Sequence, residues 1–344
     1  MLNWLCRRVD MKYSLAKIAE EIGVSKSTVS FVINGKAREA RISAEVERKV
    51  LDFCRKVNYV PNIHAQRINR RFVSNVGFLV DQSVRIDSDN PFSDYNISAI
   101  MGGIVLGAEA ENCRVSVQLY KRGMDENLVF DWLRSNEIDG LIYYGLEIPQ
   151  SWKDVFKSEK MSVVGINTTP DDYISSVNID NFEASHEITS HIINSGRKSF
   201  LYLSGIDGSF VSDERKNGFV SACTEHGVSD YEIVSARYLE SEAYRIVSSY
   251  DFRKTDAVVC ANDDMAIGAI AALRRRGIPI PEKVAVSGGD DIVTGRYITP
   301  SLTTFSNSHH RLGLEAVECV IAMAKGEKSR TVIIPYEILL RKSI

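Results

Sequence analysis

Residues 15–35 read LAKIAEEIGVSKSTVSFVING. Leu15, Ile18, Ala19 and Ile22 recur at helical spacing and form one apolar face of a short helix. Gly23-Val24 breaks that helix. Ser25 is placed to cap a second one, with Val29, Val32 and Ile33 on its inner face and Asn34-Gly35 as its stop. After the basic loop KAREAR, Ser43 is placed to cap a third helix that turns Val46, Val50, Phe53 and Val57 inward. Helix, short turn, helix and a third packing helix make a helix-turn-helix unit.

Charge separates that reading from a plain surface helix. The chain has 344 residues and a formal net charge of −3, yet residues 1–71 hold 15 Lys/Arg against 7 Asp/Glu. The rest hold 27 against 38, so a basic head precedes an acidic body. The local excess supplies counter-charge for phosphates, and Ser25, Lys26, Ser27, Thr28, Ser30, Phe31 and Asn34 are placed to approach base edges.

From Asn75 onward, short apolar strands alternate with amphipathic helices. Candidate strands are 76–80, 115–119, 138–143, 162–166, 199–203, 257–260 and 284–287; candidate helices are 125–135, 182–194, 214–226, 264–276 and 310–325. This alternation predicts doubly wound parallel α/β sheets, and a body this long suits two lobes. The six cysteines stand singly and read as reduced thiols of a cytoplasmic protein. The longest apolar stretch, 98–108, falls short of a membrane span, and the first ten residues lack a signal-peptide cleavage site. Residues 1–10 read as an extension ahead of a second methionine, Met11.

Pro61 ends the third helix, and Asn62 can cap a short fourth one carrying Ala65 and Ile68. Such a helix, with Arg67, Arg70 and Arg71, is marginal alone in water.

The stretch LAKIAEEIGVSKSTVSFVING, then NYVPN and a short basic helix, resembles the start of the lactose/galactose repressor (LacI/GalR) family. The body continues the likeness through SVNIDNFEAS, SGRKSFLYLSG, ERKNGF, CANDDMAIGAIAALRRRGIPIPEKVAVSGGDD and RYITPSLTTFSNSHHRLG. The resemblance implies a small all-α helix-turn-helix domain (11–60), a hinge helix and linker (61–71), and a periplasmic-binding-protein-like core (72–344). That core has an N-lobe of about 72–178 and 305–325, and a C-lobe of about 179–302 and 330–341. It also implies a repressor whose palindromic operator DNA binding responds to a small, sugar-like effector in the cleft between the lobes. With no leucine heptad after YEILL, a homodimer is expected.

The chain departs from the family pattern in places. Phe31 stands where the recognition helix often carries Arg. The loop 36–42 is longer than usual, and its Arg38 and Arg41 are candidates for phosphate contacts. Ile68 takes the place of a leucine that wedges into the minor groove. For the effector, the resemblance implies Arg215, Asn262 and Asp290, with Asn167, Asp81 and Phe92 as further candidates. A guanidinium fork, an amide and a carboxylate suit ligand hydroxyls.

Enzymatic chemistry finds no motif: the chain has no G-x-S-x-G elbow, no Walker loop and no G-x-G-x-x-G after a strand. No cofactor and no metal are expected. His186, His191 and the doublet His309-His310 read as surface or capping residues, and the pairs Asp171-Asp172, Asp263-Asp264 and Asp290-Asp291 as solvated loop carboxylates. A sugar-binding transport protein would share the core but not the head, and an α/β enzyme acting on a sugar is the remaining alternative.

Overall fold

The computed structural model describes all residues except 1–12, 34, 58, 60–72, 82–89, 122–123, 136 and 307. The chain divides into two compact units, Met1–Arg70 and Arg71–Ile344. The expected sites Asn34, Ala65 and Ile68, and the hinge helix itself, lie outside the described residues.

In the first unit α1 spans Leu15–Ile22, α2 Lys26–Ile33 and α3 Ala44–Lys56. Ser14 accepts a hydrogen bond from Lys17 N at 3.2 Å, and Gly23 closes α1 in the left-handed region at φ 73°. Ser25 Oγ accepts from Thr28 N at 3.0 Å, and Ser43 caps α3 through Val46 N. Glu45 and Glu47 in the first turn of α3, and Arg55 and Lys56 in its last, suit the helix dipole. Ile18, Ala19, Val29, Val32, Ala37 and Val50 meet in one small buried core.

The second unit holds two parallel sheets. Its strands and helices are β1 (Asn75–Asp81), α4 (Tyr95–Ala110), β2 (Arg114–Tyr120), α5 (Glu126–Arg134), β3 (Gly140–Tyr144), α6 (Gln150–Ser158), β4 (Ser162–Ile166) and β5 (Ser175–Ile179), and then α7 (Asn181–Asn194). They continue as β6 (Ser199–Ser204), α8 (Phe210–Glu225), β7 (Asp230–Ser235), α9 (Glu240–Ser249), β8 (Ala257–Cys260), α10 (Asp263–Arg275) and β9 (Ala285–Ser287). The last elements are α11 (Val293–Tyr297), β10 (Thr304–Ser306), α12 (His309–Ala324), β11 (Thr331–Ile334) and β12 (Glu337–Leu339).

The N-lobe sheet runs β11-β5-β4-β3-β1-β2 and the C-lobe sheet β7-β6-β8-β9; β10 and β12 pair antiparallel. Ile97, Ile100 and Ile104 of α4 and Leu312, Val317 and Val320 of α12 cover one face of the first sheet. Val129, Leu133, Trp152 and Phe156 of α5 and α6 cover the other.

Two lobe assignments need correction. Residues 331–334, expected in the C-lobe, form β11 beside β5 in the N-lobe sheet. Phe305 and its neighbours in β10, expected in the N-lobe, bridge instead to the C-lobe loop at Asp290. The chain therefore crosses between lobes after β5, after β10 and after β11. Exposed Thr331 and Ile333 alternate with half-buried Val332 and buried Ile334, the pattern of an edge strand, and periodicity cannot say which sheet such a strand joins.

Candidate functional site

In open parallel sheets, ligands bind beyond the carboxyl ends of strands where the strand order reverses. In the N-lobe that point lies between β1 and β3, at Asp81 and Tyr144. In the C-lobe it lies between β6 and β8, at Ser204 and Ala261.

Arg215 occupies the C-lobe crevice. It lies on α8, is 3% exposed, and donates from Nε to Asn181 Oδ1 at 2.8 Å and from Nη2 to Asp290 Oδ1 at 3.0 Å. Nη1 donates to the carbonyl of Ala261. Its guanidinium lies 4.9 Å from the Phe305 ring centroid, a cation–π contact. Burial works against the charge, and the Asp290 carboxylate beside it restores it, leaving Arg215 above its usual range.

The N-lobe reaches the same carboxylate. Asn96, at the start of α4, donates from Nδ2 to Asp290 Oδ2 at 3.0 Å. Asp290 thus bonds to both lobes. The residue sits at φ 127°, outside the region ordinary side chains favour, and Asp291 follows at φ 51°. The strain is held from behind. Asp290 N donates to Phe305 O at 2.8 Å, and Asp291 accepts from Arg296 and Arg341.

Phenols surround the pair. Tyr144 and Tyr202 are pushed well above the usual phenol range and Tyr238 is raised, each first by burial, so they act as neutral hydroxyls. The Tyr202 and Tyr238 hydroxyls and Asn96 Oδ1 are buried without a hydrogen-bond partner, although Ser185 stands near the first and Ser209 and Ser212 near the second. Buried polar atoms without partners are uncommon in finished cores and common where a ligand completes the bonding.

Asn262 neighbours this cluster, and its Oδ1 is committed to Met265 N at 3.0 Å as the cap of α10. Phe92 sits in the 3-10 turn Pro91–Ser93, packed on the N-lobe core, and Asp81 ends β1. Asn167 takes a left-handed φ of 53° after β4, with its Oδ1 buried and unpartnered.

Two expectations are overturned here. His309 is 5% exposed, not a surface or capping residue; burial lowers its imidazole to about 4, with Arg215 adding to the fall and Asp290 opposing it. Asp263 and Asp291 are not solvated. Asp263 is wholly buried, accepts from Thr304 Oγ1 at 2.6 Å and from Ile292 N at 2.9 Å, and is pushed up to about 8 by burial and then by Asp290. Asn96, Tyr144, Tyr202, Tyr238 and Phe305 were not anticipated. Tyr202 and Phe305 lie within the stretches SGRKSFLYLSG and RYITPSLTTFSNSHHRLG, which did not single them out; Asn96, Tyr144 and Tyr238 lie in none, and only Tyr144, at the end of β3, carried a positional signal.

In the first unit, Lys26, Ser27, Phe31, Arg38 and Arg41 are exposed, with Phe31 at 44%, while Val29 and Val32 of the same helix are buried. The Ser25 hydroxyl bonds to those of Ser27 and Thr28, each at 2.8 Å. Among the described residues no cluster of His, Cys, Asp and Glu could hold a metal ion, and no helix is long and apolar enough to cross a membrane.

Residues 14–62 match the family described as bacterial regulatory proteins, lacI family, and residues 189–344 the periplasmic binding protein-like domain. The chain is 27% identical to the HTH-type transcriptional repressor PurR of Pasteurella multocida, over 96% of this chain and 98% of that protein. It is 24% identical to catabolite control protein A of Staphylococcus aureus, over 96% and 99%. The lac repressor dimer bound to operator and the anti-inducer ONPF superposes with a TM-score of 0.83 at 21% identity, covering 96% of this chain and 99% of that one. The transcriptional regulator CelR in complex with cellobiose superposes at 0.70, with 21% identity, covering 96% and 100%.

Proposed function

The chain belongs to the lacI family of bacterial regulatory proteins, DNA-binding regulators of transcription, and on that premise we propose that it is a cytoplasmic homodimeric repressor switched by a sugar or sugar derivative. The observation that carries the effector half is the buried Arg215–Asp290 pair, set at a strand-order reversal and touched from the other lobe by Asn96. A cleft bridged this way changes its lobe geometry when a ligand enters. That change biases a DNA-competent state against a released one. Arg215 and Asp290 hold ligand hydroxyls, Asn262 and Asn167 border them from the C-lobe and N-lobe, and Asp81 and Phe92 form the far wall.

In the head, Lys26, Ser27, Ser30 and Phe31, with Asn34, enter the major groove. Ser25 and Thr28 fix the helix start, and Arg38 and Arg41 hold phosphates. The exposed Phe31 ring suits a thymine methyl. Ala65 and Ile68, outside the described residues, are the candidates for the minor groove. Exposed Val105 and Leu106 on α4 and Val117 on the edge strand β2 supply apolar surface for the second copy. The protein performs no catalysis and carries no cofactor.

The test is selection of duplexes from a random pool by the full chain, followed by titration of the selected site. A palindrome is expected, with affinity falling at least about a hundredfold between about 50 and about 200 mM salt. Lys26→Ala should change the preferred sequence, and Arg41→Ala should weaken all sequences alike. A flat salt response would overturn the DNA assignment.

A further inference from the structure

We propose that Asn96 is the N-lobe residue that reads the effector: its Nδ2 latches onto Asp290, and its Oδ1 takes a hydrogen-bond donor from the ligand, so the cleft selects neutral, hydroxyl-bearing molecules over anionic ones. The inference rests on the cleft being the effector site.

The orientation of the amide follows from its partner. A carboxylate oxygen only accepts, so the Asn96 atom 3.0 Å from Asp290 Oδ2 is the nitrogen, and the carbonyl is the end that is buried and unpartnered. A buried amide oxygen left unmet carries a desolvation penalty that a ligand donor removes. A hydroxyl can supply that donor. A phosphate or carboxylate oxygen cannot.

The surrounding charge favours the same class. The positive charge of Arg215 is already matched by Asp290 and shared with Asn181 and Ala261. His309 is held neutral. Asp94 adds a carboxylate beside Tyr144, while Asp263, behind Asp290, is held protonated by burial. An anionic ligand would have to compete with Asp290 for the Arg215 guanidinium. Neutral hydroxyls meet the buried phenols of Tyr202 and Tyr238, each able to donate or accept.

Asn96 also stands in the N-terminal turn of α4, just beyond its cap Asp94 and Tyr95, and Asp94 accepts from Asn96 N at 2.8 Å and Ile97 N at 3.1 Å. The side chain is therefore fixed by a helix start, and its reach to Asp290 measures how closely the lobes approach. Ligand reading and lobe closure meet in one amide.

The experiment is calorimetric titration of the full chain with D-ribose, cellobiose, D-glucuronate and ribose 5-phosphate, repeated on Asn96→Ala, Asn96→Asp and Arg215→Ala. A neutral probe should bind at least about tenfold more tightly than its anionic counterpart, and Asn96→Ala should weaken it by at least about tenfold. Asn96→Asp keeps the shape, loses the donor and sets a second carboxylate against Asp290, so it should weaken binding further. Tighter binding of either anionic probe overturns the proposal, and so does an absence of binding by both neutral ones. Unchanged affinity in Asn96→Ala with loss in Arg215→Ala removes the role of Asn96 and leaves the cleft as effector site. Unchanged affinity in both variants removes the cleft reading itself.

Discussion

Arg215 and Asp290 face each other 3.0 Å apart with both side chains 3% exposed, on segments 75 residues apart in sequence. An ion pair so enclosed is held by its hydrogen bonds as much as by its charges. Removing one partner leaves the other buried and unmatched, which typically costs about 3–5 kcal/mol.

Urea denaturation of Arg215→Met, Asp290→Asn and the double variant tests this. Each single change should lose about 3–5 kcal/mol, and the double much less than the sum of both. A double loss equal to that sum would show that the two residues act independently.

His309 sets an acid limit on stability. Its folded value of about 4 lies below the ordinary 6.5, so between these values the unfolded chain binds the extra proton. The stability linked to this neutral imidazole is complete above pH 6.5 and is lost as pH falls towards 4. Urea midpoints at neutral and mildly acidic pH should show this fall, worth up to about 3 kcal/mol, in the natural protein and not in His309→Gln. An equal fall in both would assign the acid limb to other groups.

Asp263 acts on the opposite limb. Its folded value of about 8 lies above the ordinary 3.8, so the folded protein keeps a proton that the unfolded chain releases. The linked stability is complete below pH 3.8 and declines as pH rises through 8. The slope reaches about 1.4 kcal/mol per pH unit, and Asp263→Asn should abolish it. Parallel curves for the two proteins would show that the carboxyl is ionised in the fold.

Gly103 lies where α4 crosses α12. A Cβ there would collide with the carbonyl oxygen of His310, whereas at Gly102 the nearest atom, on the His310 ring, is 3.9 Å away. Gly103→Ala should destabilise by about 1–3 kcal/mol through overpacking, while Gly102→Ala should be neutral or gain up to about 1 kcal/mol of helix propensity. His309 precedes the residue struck, and Asn96 lies earlier on the same helix as Gly103, so Gly103→Ala should also weaken effector binding. Thermal melts and titration of both variants check this; equal behaviour would mean the helices separate freely.

The head was legible because its determinants are local. Ser25 and Ser43 cap within three residues of themselves, and Ile18, Val29, Val32 and Val50 form a core whose members recur at helical spacing. The strands β4 (Ser162–Ile166) and β8 (Ala257–Cys260) were read to the residue, since fully buried strands are continuous apolar runs. Motifs likewise led to Arg215 and Asp290. What they do together was decided by folding. The contact of Asn96 with Asp290 spans 194 positions, and no period or spacing in the sequence encodes a contact between lobes. The burial of His309 and Asp263 follows from the chain crossing between lobes beside them. Local sequence sets which face of a helix or strand is apolar, while the environment of a polar group depends on which distant segments are brought over it.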